Sequence, residues 1–402
     1  MKENQLIEEI LGLETYWKVI KIEVDKSNKL LDIFLEYQGK TYLSQEDNTS
    51  YPIYDFTEYR RIRHLDFLKY QCYLNFRTPR MKLPNGNVRA IPLGFADKNV
   101  SFSFEFETKI IELLLLSKNK TQTAHHAKTT FDIVHQIMKR AVDRGLTKRE
   151  LEDVKVINLD EKSFRDGQNY FTVLTDTQGK RVLDIIEGRS IESTEELLHN
   201  TFTYKQLDGI ETVAMDMWKP FMTGVENTLP NAEISHDKFH ISKYLNKGVD
   251  EVRKQEVKKI DELKNTKYLF LTNTNHWTEK HQLKFEQINT INLETSKAWR
   301  LKENFKAIYQ GWTREEIQHV FSEWYINVIE SEIKPMIKVA DTLLRHLKGI
   351  IHASISQITN SMAENINSKI QVVKSVARGF KNINGYRNSI LFFNGDLNLF
   401  PL

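Results

Sequence analysis

The feature that most constrains the fold is a segment, from Val154 to His240, in which strand-like and helix-like runs alternate. The strand-like runs are short and rich in β-branched and aromatic residues, and between them the apolar spacing becomes helical. A helix is expected over STEELLHNTF, which opens with a capping-box-like pair, Ser193 and Glu196, and another near WKPFMTGVEN. Strands are predicted at Val154–Asp160, Tyr170–Thr175 and Arg181–Ile186, and within GIETVAMDM and AEISHDKFH. Such alternation predicts an α/β domain built on an open sheet.

Composition bounds the class of protein. The 402 residues are 40% hydrophobic and 28% charged, as in ordinary globular proteins, and they suffice for two or three domains. A net charge of +3 is too small to indicate nucleic-acid binding by itself. The single cysteine, Cys72, excludes an intramolecular disulfide and a zinc site made of cysteines. Because the N-terminus lacks a signal-peptide pattern and the longest apolar run, IIELLLLS, is too short to span a membrane, we expect a soluble cytoplasmic protein.

The residues before the α/β segment divide by the period of their apolar positions. Up to Phe106 the period is two, in KVIKIEVD, LLDIFLEYQ, YQCYLNFR and VSFSFEFE, with a tight turn at LPNGN, which predicts a small β-rich module. From Glu107 the spacing is helical, in three pieces. The last piece carries the basic residues Lys139, Arg140 and Arg144. Two short helices, Thr121–Ala127 and Thr130–Arg144, behind a longer one favour a helix-turn-helix slightly over an ordinary αα-hairpin.

The residues after the α/β segment are almost wholly helical in spacing. This pattern runs from Ile241 to about Gln357, and a last helix is expected from near Asn360. The sequence therefore predicts five segments: a β-rich module at 1–106, a helix-turn-helix at 107–150, the first part of an α/β core at 151–245, a helical insertion at 246–357, and a final helix with a basic tail, returning to the core, at 358–402.

Three acids stand where an α/β fold can bring them together. Asp160 ends the first predicted strand, Asp216 ends the strand in TVAMD, and Glu364 lies near the start of the last helix. Carboxylates at strand ends of an open sheet face the crevice where ligands bind. Converging carboxylates suit Mg²⁺ or Mn²⁺, whereas zinc prefers histidine and thiolate ligands. Any one of these acids alone is more often a simple cap, so only their order along the chain favours a metal site.

Several motifs in the same order carry a resemblance to a known family. They are LDEKSFRDGQNYFTVLTD, GKRVLDIIEGRS, VAMDMWKPFM, LPNAEISHDKFHISKYLNKGVDEVRK and ITNSMAENINSKIQVVKSVARGFKNINGYRNSILFF, and they extend from about Leu151 to Phe393. In content and order they resemble the DDE transposases of bacterial insertion sequences, specifically the ISL-three group.

The resemblance implies a fold, a site and a reaction. It implies an RNase H-like catalytic domain in which Asp160, Asp216 and Glu364 bind Mg²⁺ or Mn²⁺ and catalyse DNA strand cleavage and strand transfer. The implied partners are the terminal inverted repeats of the element and the target DNA, in the bacterial cytoplasm and without a membrane. Because two DNA ends must be paired, we also expect a homodimer or a higher assembly.

The two adjacent acids of INLDEKSF are not equivalent. Strand alternation sends Asp160 and Glu161 to opposite faces of the sheet, so only one of them can join a common metal. The resemblance selects Asp160. Glu161 is then expected to hold the strand end or a neighbouring basic residue.

Other residues are expected to support the site. By composition His236, Asp237 and His240 resemble a metal cluster, but the resemblance places Asp237 and His240 beside the active site as supporting or DNA-contacting residues. A structural helix cap is an equal alternative for this motif. From the tail, Lys369, Lys374 and Arg378 are expected to contact DNA phosphates. For the tryptophans Trp277, Trp299, Trp312 and Trp324, core packing is favoured over base stacking.

The N-terminal module departs from the family pattern. Members usually begin with a cysteine zinc ribbon, but the regions around TYLSQEDN and RMKLPNGN contain no cysteine, so the module is predicted to be zinc-ribbon-like without zinc. The predicted function is that of a DNA transposase. Two alternatives remain: a catalytically inactive, domesticated DNA-binding protein, and an RNase H-like junction-resolving nuclease.

Overall fold

The structure, a computed structural model, describes residues 3–163, 170–289, 293–310, 313–356, 361–377, 380 and 382–401, with the backbone alone for Glu3, Asn289 and 361–364. The chain forms two compact units: Met1–Arg149 with Leu397–Leu402, and Glu150–Asp396. The five predicted segments divide the chain more finely, and residues 397–402 group with the first unit, whereas the sequence placed them in the final segment. None of the helices in the described ranges is long and apolar enough to cross a membrane.

Within its described residues, the first unit contains a six-stranded sheet where the period-two runs predict strands. The strand order is β1-β2-β5-β4-β3 with β6 beside β5, and the pairs are antiparallel except for β2 with β5. Its elements are α1 (Glu3–Ile10), β1 (Trp17–Asp25), β2 (Leu30–Tyr37), β3 (Thr41–Leu43), β4 (Ser50–Arg63), β5 (Gln71–Lys82) and β6 (Val88–Ala90). Trp17, Phe76 and Phe95 meet edge to face, with ring centroids 5.1 to 5.9 Å apart. Cys72 is a buried free thiol in β5, and an apolar core holds this sheet.

One predicted strand is wrong. VSFSFEFE alternates like a strand, but a helix, α2 (Phe104–Ser117), begins within it. The hydroxyl of Ser103 caps this helix by accepting a hydrogen bond from the backbone N–H of Phe106 at 3.2 Å. Glu105 and Glu107 lie in the first turn, where carboxylates favour the helix dipole. These capping signals outweigh the period-two pattern.

The basic residues of the predicted helix-turn-helix serve mainly inside the first unit. α3 (Lys120–His126) and α4 (Phe131–Thr147) match the predicted helices to within a few residues. Arg140 and Arg144 of α4 both form ion pairs with Glu107, which is 1% exposed. Arg144 also donates to the backbone oxygen of Leu399 at 2.5 Å. Lys139, the third basic residue, is exposed on α4.

The second unit contains a sheet of five strands in its described part, interleaved with helices as the alternation predicts. The strand order is β11-β10-β7-β8-β9: β7, β8 and β9 form an antiparallel meander, and β10 and β11 run parallel to β7. The elements are β7 (Val156–Ser163), β8 (Tyr170–Asp176), β9 (Arg181–Glu187), α5 (Ile191–Thr201), α6 (Tyr204–Asp208), β10 (Thr212–Met215), α7 (Lys219–Thr228) and β11 (Glu233–His236). This order sets β7 directly beside β10.

The first strand of this sheet is longer than predicted. β7 continues past Asp160 because β8 pairs with it as far as Ser163. Its pairing with β10 stops earlier, where Ala214 lies opposite Asn158. Asp160 therefore does not end its strand, as expected from the sequence, but lies where β7 has lost one of its two neighbours.

Two helix starts also differ from prediction. Ser190 caps α5 and forms the capping box with Ser193, so the box predicted at Ser193 and Glu196 is wrong by three residues. The last strand stops at His236, and DKFH belongs to the start of a helix capped by Asp237.

A helical segment follows the sheet, as the sequence predicts. Its helices are α8 (Lys238–Glu256), α9 (Lys267–Leu271), α10 (Glu279–Asn289), α11 (Glu294–Asn304), α12 (Arg314–Glu330), α13 (Lys334–Arg345), α14 (Leu347–Ser356), α15 (Ser361–Val376) and α16 (Ile383–Asn394). Trp324 is buried in the core of this segment, and Trp277 stacks on Trp299 at 5.5 Å against it. Core packing is confirmed for these tryptophans, and Trp312 lies outside the described residues.

Alternate residues of β7 and β10 point to two different helical layers. Ile157 and Leu159 share an apolar cluster with Val213 and Met215 and with residues of α5 and α7. Asn158 and Asp160, by strand alternation, face the opposite side, where α15 and α16 pack. The two acids predicted for the site thus share the face that these last helices cover.

An ion pair fixes α16 to β9, and its loss tests this packing. Both Asp184 carboxylate oxygens accept from the Arg387 guanidinium, at 2.6 and 2.7 Å, and Asp184 is buried. Asp184→Ala leaves a half-buried guanidinium without its carboxylate, so the free energy of unfolding should fall by roughly 2–4 kcal/mol. Urea unfolding followed by circular dichroism measures this. Asp261→Ala, which removes an exposed ion pair with Lys264, is the control and should leave the midpoint unchanged. Equal losses in the two variants would contradict the assigned packing.

Candidate active site

The register of two parallel strands brings Asp160 and Asp216 together. Asn158 of β7 pairs with Ala214 of β10, and each acid follows two residues later on the same face. Asp216 comes directly after β10, at the end where ligands bind in sheets of parallel strands. The sequence prediction that these two acids meet at one edge of the sheet agrees with this register.

Asp160 is held by three nitrogen donors, the first of which is the backbone N–H of Glu161, 2.8 Å from Oδ1. Asn367 of α15 donates from its side-chain amide to Asp160 Oδ2 at 2.6 Å. The ammonium of Lys162, two residues along β7 and therefore on the same face, lies 3.0 Å from the same oxygen. The side chain is 21% exposed, so the carboxylate is fixed in place and still reachable from solvent.

Asp216 is a largely buried carboxylate with two other acids nearby. Burial raises its pKa above the ordinary aspartate value, and the neighbouring charges of Asp160 and Glu161 raise it further. His240 and a hydrogen bond from the backbone N–H of Trp218 to Asp216 Oδ1, at 3.1 Å, act in the opposite direction. The raised pKa means that the ionised form of Asp216 is disfavoured, first by burial and then by repulsion from the neighbouring acids.

The third predicted acid lies on the helix that contacts Asp160. Glu364 belongs to α15, one turn before Asn367, and residues three apart lie on neighbouring parts of a helix surface. The side chain of Glu364 lies outside the described residues. Its predicted role as a ligand therefore stays a prediction. The next turn of the same helix hydrogen-bonds Asp160 through Asn367.

HDKFH divides into residues on two sides of the sheet. Asp237 caps α8 by accepting from the backbone N–H of Phe239 at 2.9 Å, and its Oδ2 lies 3.8 Å from His240 Nε2. His236 points elsewhere: it is 2% exposed and packs edge to face on His346 at 5.2 Å. Burial lowers the pKa of His236 to about 4. The three residues do not form a common metal cluster among the described side chains.

The predicted basic contacts differ in setting. Lys374 of α15 donates to the backbone oxygen of Ser163 at 3.2 Å, which ties the helix along β7. Lys369 is exposed on the same helix, and Arg378 lies outside the described residues. Arg387, also in the basic tail, is used in the ion pair with Asp184.

The donor set fits a hard divalent cation. Asp160 and Asp216 offer oxygen atoms of the kind that such cations bind, and a cation would favour the ionised form of Asp216, whose pKa is raised by burial and by the neighbouring acids. No group of three or more His, Cys, Asp or Glu ligands occurs among the described side chains, a set that does not include Glu364. The described part of the site therefore offers two carboxylates, beside a helix that can bring a third.

Comparison with known proteins decides the family. A family model described as "Transposase", for the DDE transposases of the ISL-three group, matches residues 157–390, which span every strand of the second sheet except the first residue of β7. The chain belongs to this family.

Curated transposases are similar along most of the chain. The transposase for insertion sequence element IS1001 of Bordetella parapertussis is 24% identical over 397 residues, which cover 95% of this chain and 96% of that protein. The transposase for IS1557 of Mycobacterium tuberculosis is 20% identical over 351 residues, 80% of this chain and 78% of that protein. The similarity to the first of these therefore includes the N-terminal unit as well as the residues that the family model matches.

Three residues at the candidate site of this transposase were missed in the sequence. Asn367 lies three residues after Glu364, so helical spacing could have identified it as a second contact from the same helix. Arg189 forms an ion pair with Glu161 at 2.7 Å and lies over the ring of Trp218 at 4.8 Å. Arg189 and Trp218 come from separate loops, and no local spacing signals their contact. The expectation that Glu161 holds a neighbouring basic residue agrees with its ion pair.

The raised pKa of Asp216 predicts that this residue lowers the stability of this transposase when no metal is bound. The folded state holds the proton more tightly than the unfolded chain, so ionisation costs stability as pH rises from the ordinary aspartate pKa through the raised value. In EDTA at pH 7, Asp216→Asn should therefore increase the free energy of unfolding by about 1 kcal/mol, a typical gain when a strained site group is replaced. The gain should disappear below the ordinary aspartate pKa of about 3.9.

Thermal unfolding with and without Mn²⁺ measures the effect of Asp216 on stability in each condition. Mn²⁺ should raise the melting temperature of the wild type, because a ligand of the folded state stabilises it, and should leave Asp216→Asn unchanged. Asp208→Asn, an exposed substitution at the end of α6, is the control and should behave as the wild type. A lower stability of Asp216→Asn in EDTA at pH 7 would contradict the electrostatic account.

Proposed function

We propose that this protein is the DNA transposase of a bacterial insertion sequence, which binds the terminal inverted repeats and catalyses DNA strand cleavage and strand transfer. The observation that carries the proposal is the pair Asp160 and Asp216, side by side on adjacent parallel strands, with α15 hydrogen-bonded to the first through Asn367. Carboxylates so placed serve phosphodiester chemistry, in which developing negative charge must be stabilised.

The proposed catalytic residues are Asp160, Asp216 and Glu364. Bound Mg²⁺ or Mn²⁺ would supply Lewis-acid activation of the attacking and leaving oxygens of the phosphodiester. The residues of the chain hold and orient: Asn367 and Lys162 fix the carboxylate of Asp160, and the backbone N–H of Trp218 fixes that of Asp216. His240, whose charge favours ionised Asp216, and Asp237 are proposed to support the site, and Lys369, Lys374 and Arg378 to contact phosphates.

The catalytic fold is proposed to be RNase H-like. The supporting observation is the strand order of the second sheet, in which a meander of three antiparallel strands is extended beside its first strand by two parallel ones. In chain order the first acid lies within the first strand and the second directly follows the fourth, and the third acid lies on a late helix that packs on the same face.

DNA-end recognition is proposed for the first unit. α3 and α4 lie where the two helices of the helix-turn-helix are predicted, and the exposed face of α4 carries Gln136 and Lys139. These two lie three residues apart, between Asp132 and Asp143, so contact with DNA would centre on them. A homodimer or higher assembly on two DNA ends is proposed, because transposition joins a pair of ends.

The chemistry is tested with DNA that carries the inverted repeats flanking the gene. With Mg²⁺, the wild type should cut at the element ends and join them to a target, because paired carboxylates with metal activate phosphodiester attack. Gel analysis of labelled DNA measures both steps. Asp160→Ala should abolish them. Structure-selective cutting of DNA junctions instead would favour a resolvase, and binding without cleavage by the intact protein would favour a domesticated DNA-binding protein.

Adjacent acids provide a matched comparison within this assay. Asp160→Asn should reduce cleavage by roughly 10³-fold or more, because a metal ligand is lost. The loss of a single stabilising hydrogen-bond donor typically costs about 10²–10³-fold. Glu161→Gln removes the partner of Arg189 and no proposed ligand, so its effect should be clearly smaller. A reversed order of severity would show that the ligand assignment is wrong.

Recognition by α4 is tested by binding. Gln136→Ala combined with Lys139→Ala should weaken binding to repeat DNA about tenfold or more, since one base-edge contact contributes about 1–3 kcal/mol. Fluorescence anisotropy measures the affinity. Lys109→Ala, on the exposed face of α2, is the control and should bind as the wild type. Unchanged affinity of the double variant would remove α4 as the recognition helix.

A further inference from the structure

Beside the proposed catalytic acids lies a fixed arginine that the mechanism above does not use. The guanidinium of Arg189 lies over the ring of Tyr170, 4.0 Å from its centroid, and over the ring of Trp218 at 4.8 Å. Its Nη1 forms an ion pair with Glu161 at 2.7 Å. Such contacts favour a planar arginine over a lysine, because only a guanidinium can stack on rings and donate in its plane at once.

The backbone around Arg189 is anchored on both sides. Gly188, whose φ of +97° few other residues adopt readily, donates to Tyr170 O at 2.8 Å and accepts from Thr172 Oγ1 at 2.8 Å. The carbonyl of Arg189 accepts from Trp218 Nε1 at 3.2 Å. Ser190 caps α5 directly afterwards. These bonds hold the guanidinium in one place before any ligand binds, which lowers the entropic cost of binding.

Arg189 still has donors to offer. A guanidinium has five N–H groups, and among the described residues its side chain donates a hydrogen bond to Glu161 alone. The side chain is 37% exposed, and so is Trp218. The remaining N–H groups are thus available to a ligand at the surface of the site.

Electrostatics favours an anionic ligand at this point. Asp160, Glu161 and Asp216 concentrate negative charge, which repels a DNA phosphate unless cations stand beside it. Lys162 is occupied with Asp160, whereas Arg189 lies within range of both Glu161 and Asp216, whose charges keep it protonated. An arginine fork matches the geometry of phosphate oxygens.

We propose that Arg189, held by Tyr170, Trp218 and Glu161, binds a backbone phosphate of the DNA end next to the phosphodiester that is cut. This rests on the proposed function and assigns a positioning contact to that site. The guanidinium fixes the strand relative to Asp160 and Asp216 without taking part in bond breaking. The competing explanation is purely structural, with Arg189 only joining the end of β7 to the loop before α7.

Binding measurements separate these two explanations without requiring cleavage. The full chain in Ca²⁺ is titrated with a duplex ending at the flanking inverted repeat, at several salt concentrations. Arg189→Gln should lower the slope of log affinity against log salt by about 0.9, the value for one lost phosphate contact. Arg181→Gln is the matched control: Arg181 pairs with Asp176 at the opposite end of β9, so its loss should leave the slope unchanged.

Neutral methylphosphonates locate the contact. With one phosphate near the cleavage position replaced at a time, the wild type should lose affinity several-fold at one position, and Arg189→Gln should lose none there. If Arg189→Gln is unfolded at the assay temperature, Arg189→Lys gives the same comparison. Because a lysine cannot reproduce a two-point contact, the methylphosphonate at that position should reduce the affinity of Arg189→Lys less than that of the wild type.

The possible results distinguish failure of the phosphate contact from failure of the proposed function. An unchanged salt slope, or a methylphosphonate profile identical to that of the wild type, overturns the phosphate contact and leaves the structural explanation. A wild type that binds the repeat duplex but does not cut it in Mg²⁺ overturns the transposase proposal, while the binding profiles still decide on Arg189. A wild type that binds the repeat no better than unrelated DNA overturns both.

Discussion

The parallel pairing of β7 with β10 is the interaction on which the site depends. Because Asn158 lies opposite Ala214, the residues two places further on, Asp160 and Asp216, share one face of neighbouring strands. The apolar residues between them, Leu159 and Met215, are fully buried in the α5 and α7 layer. A shift of one residue in this register would expose that layer and separate the acids, so packing energy and site geometry are fixed together.

The same pairing creates a repulsion that the rest of the second unit must withstand. Two carboxylates are held close and Glu161 adds a third charge, so burial and these neighbouring charges together raise the pKa of Asp216. Compensation comes from individual donors: Lys162 and Asn367 for Asp160, and Arg189 for Glu161. The hydrogen bond from Asn367 also docks α15, so the helix that carries Glu364 is tied to the carboxylate beside which Glu364 is proposed to bind the metal. A destabilised centre on a well-packed sheet is the usual arrangement of a preorganised active site.

What the sequence could predict follows from how local each signal is. The strands and most helices of the second unit follow from hydrophobic period, and the family from motif order. Asp160 and Asp216 were found because each follows a buried run, a signal within a few residues. The strand end at Asp160 was wrong because β8 supports β7 beyond the point where β10 stops, and this depends on pairing partners distant in sequence. VSFSFEFE was wrong because the caps of a helix outweighed its alternation. Arg189 and Trp218 meet only through the folded sheet, so no spacing in the sequence could reveal them.

The central claim is that Asp160 and Asp216 together hold a divalent metal. Anomalous diffraction from crystals of the full chain soaked in Mn²⁺ tests it most directly. The account predicts a manganese peak at about 2.0–2.3 Å from carboxylate oxygens of both residues, the range for hard cations on oxygen ligands. Manganese that binds elsewhere in the chain while both carboxylates stay hydrogen-bonded to Asn367, Lys162 and Trp218 would contradict it.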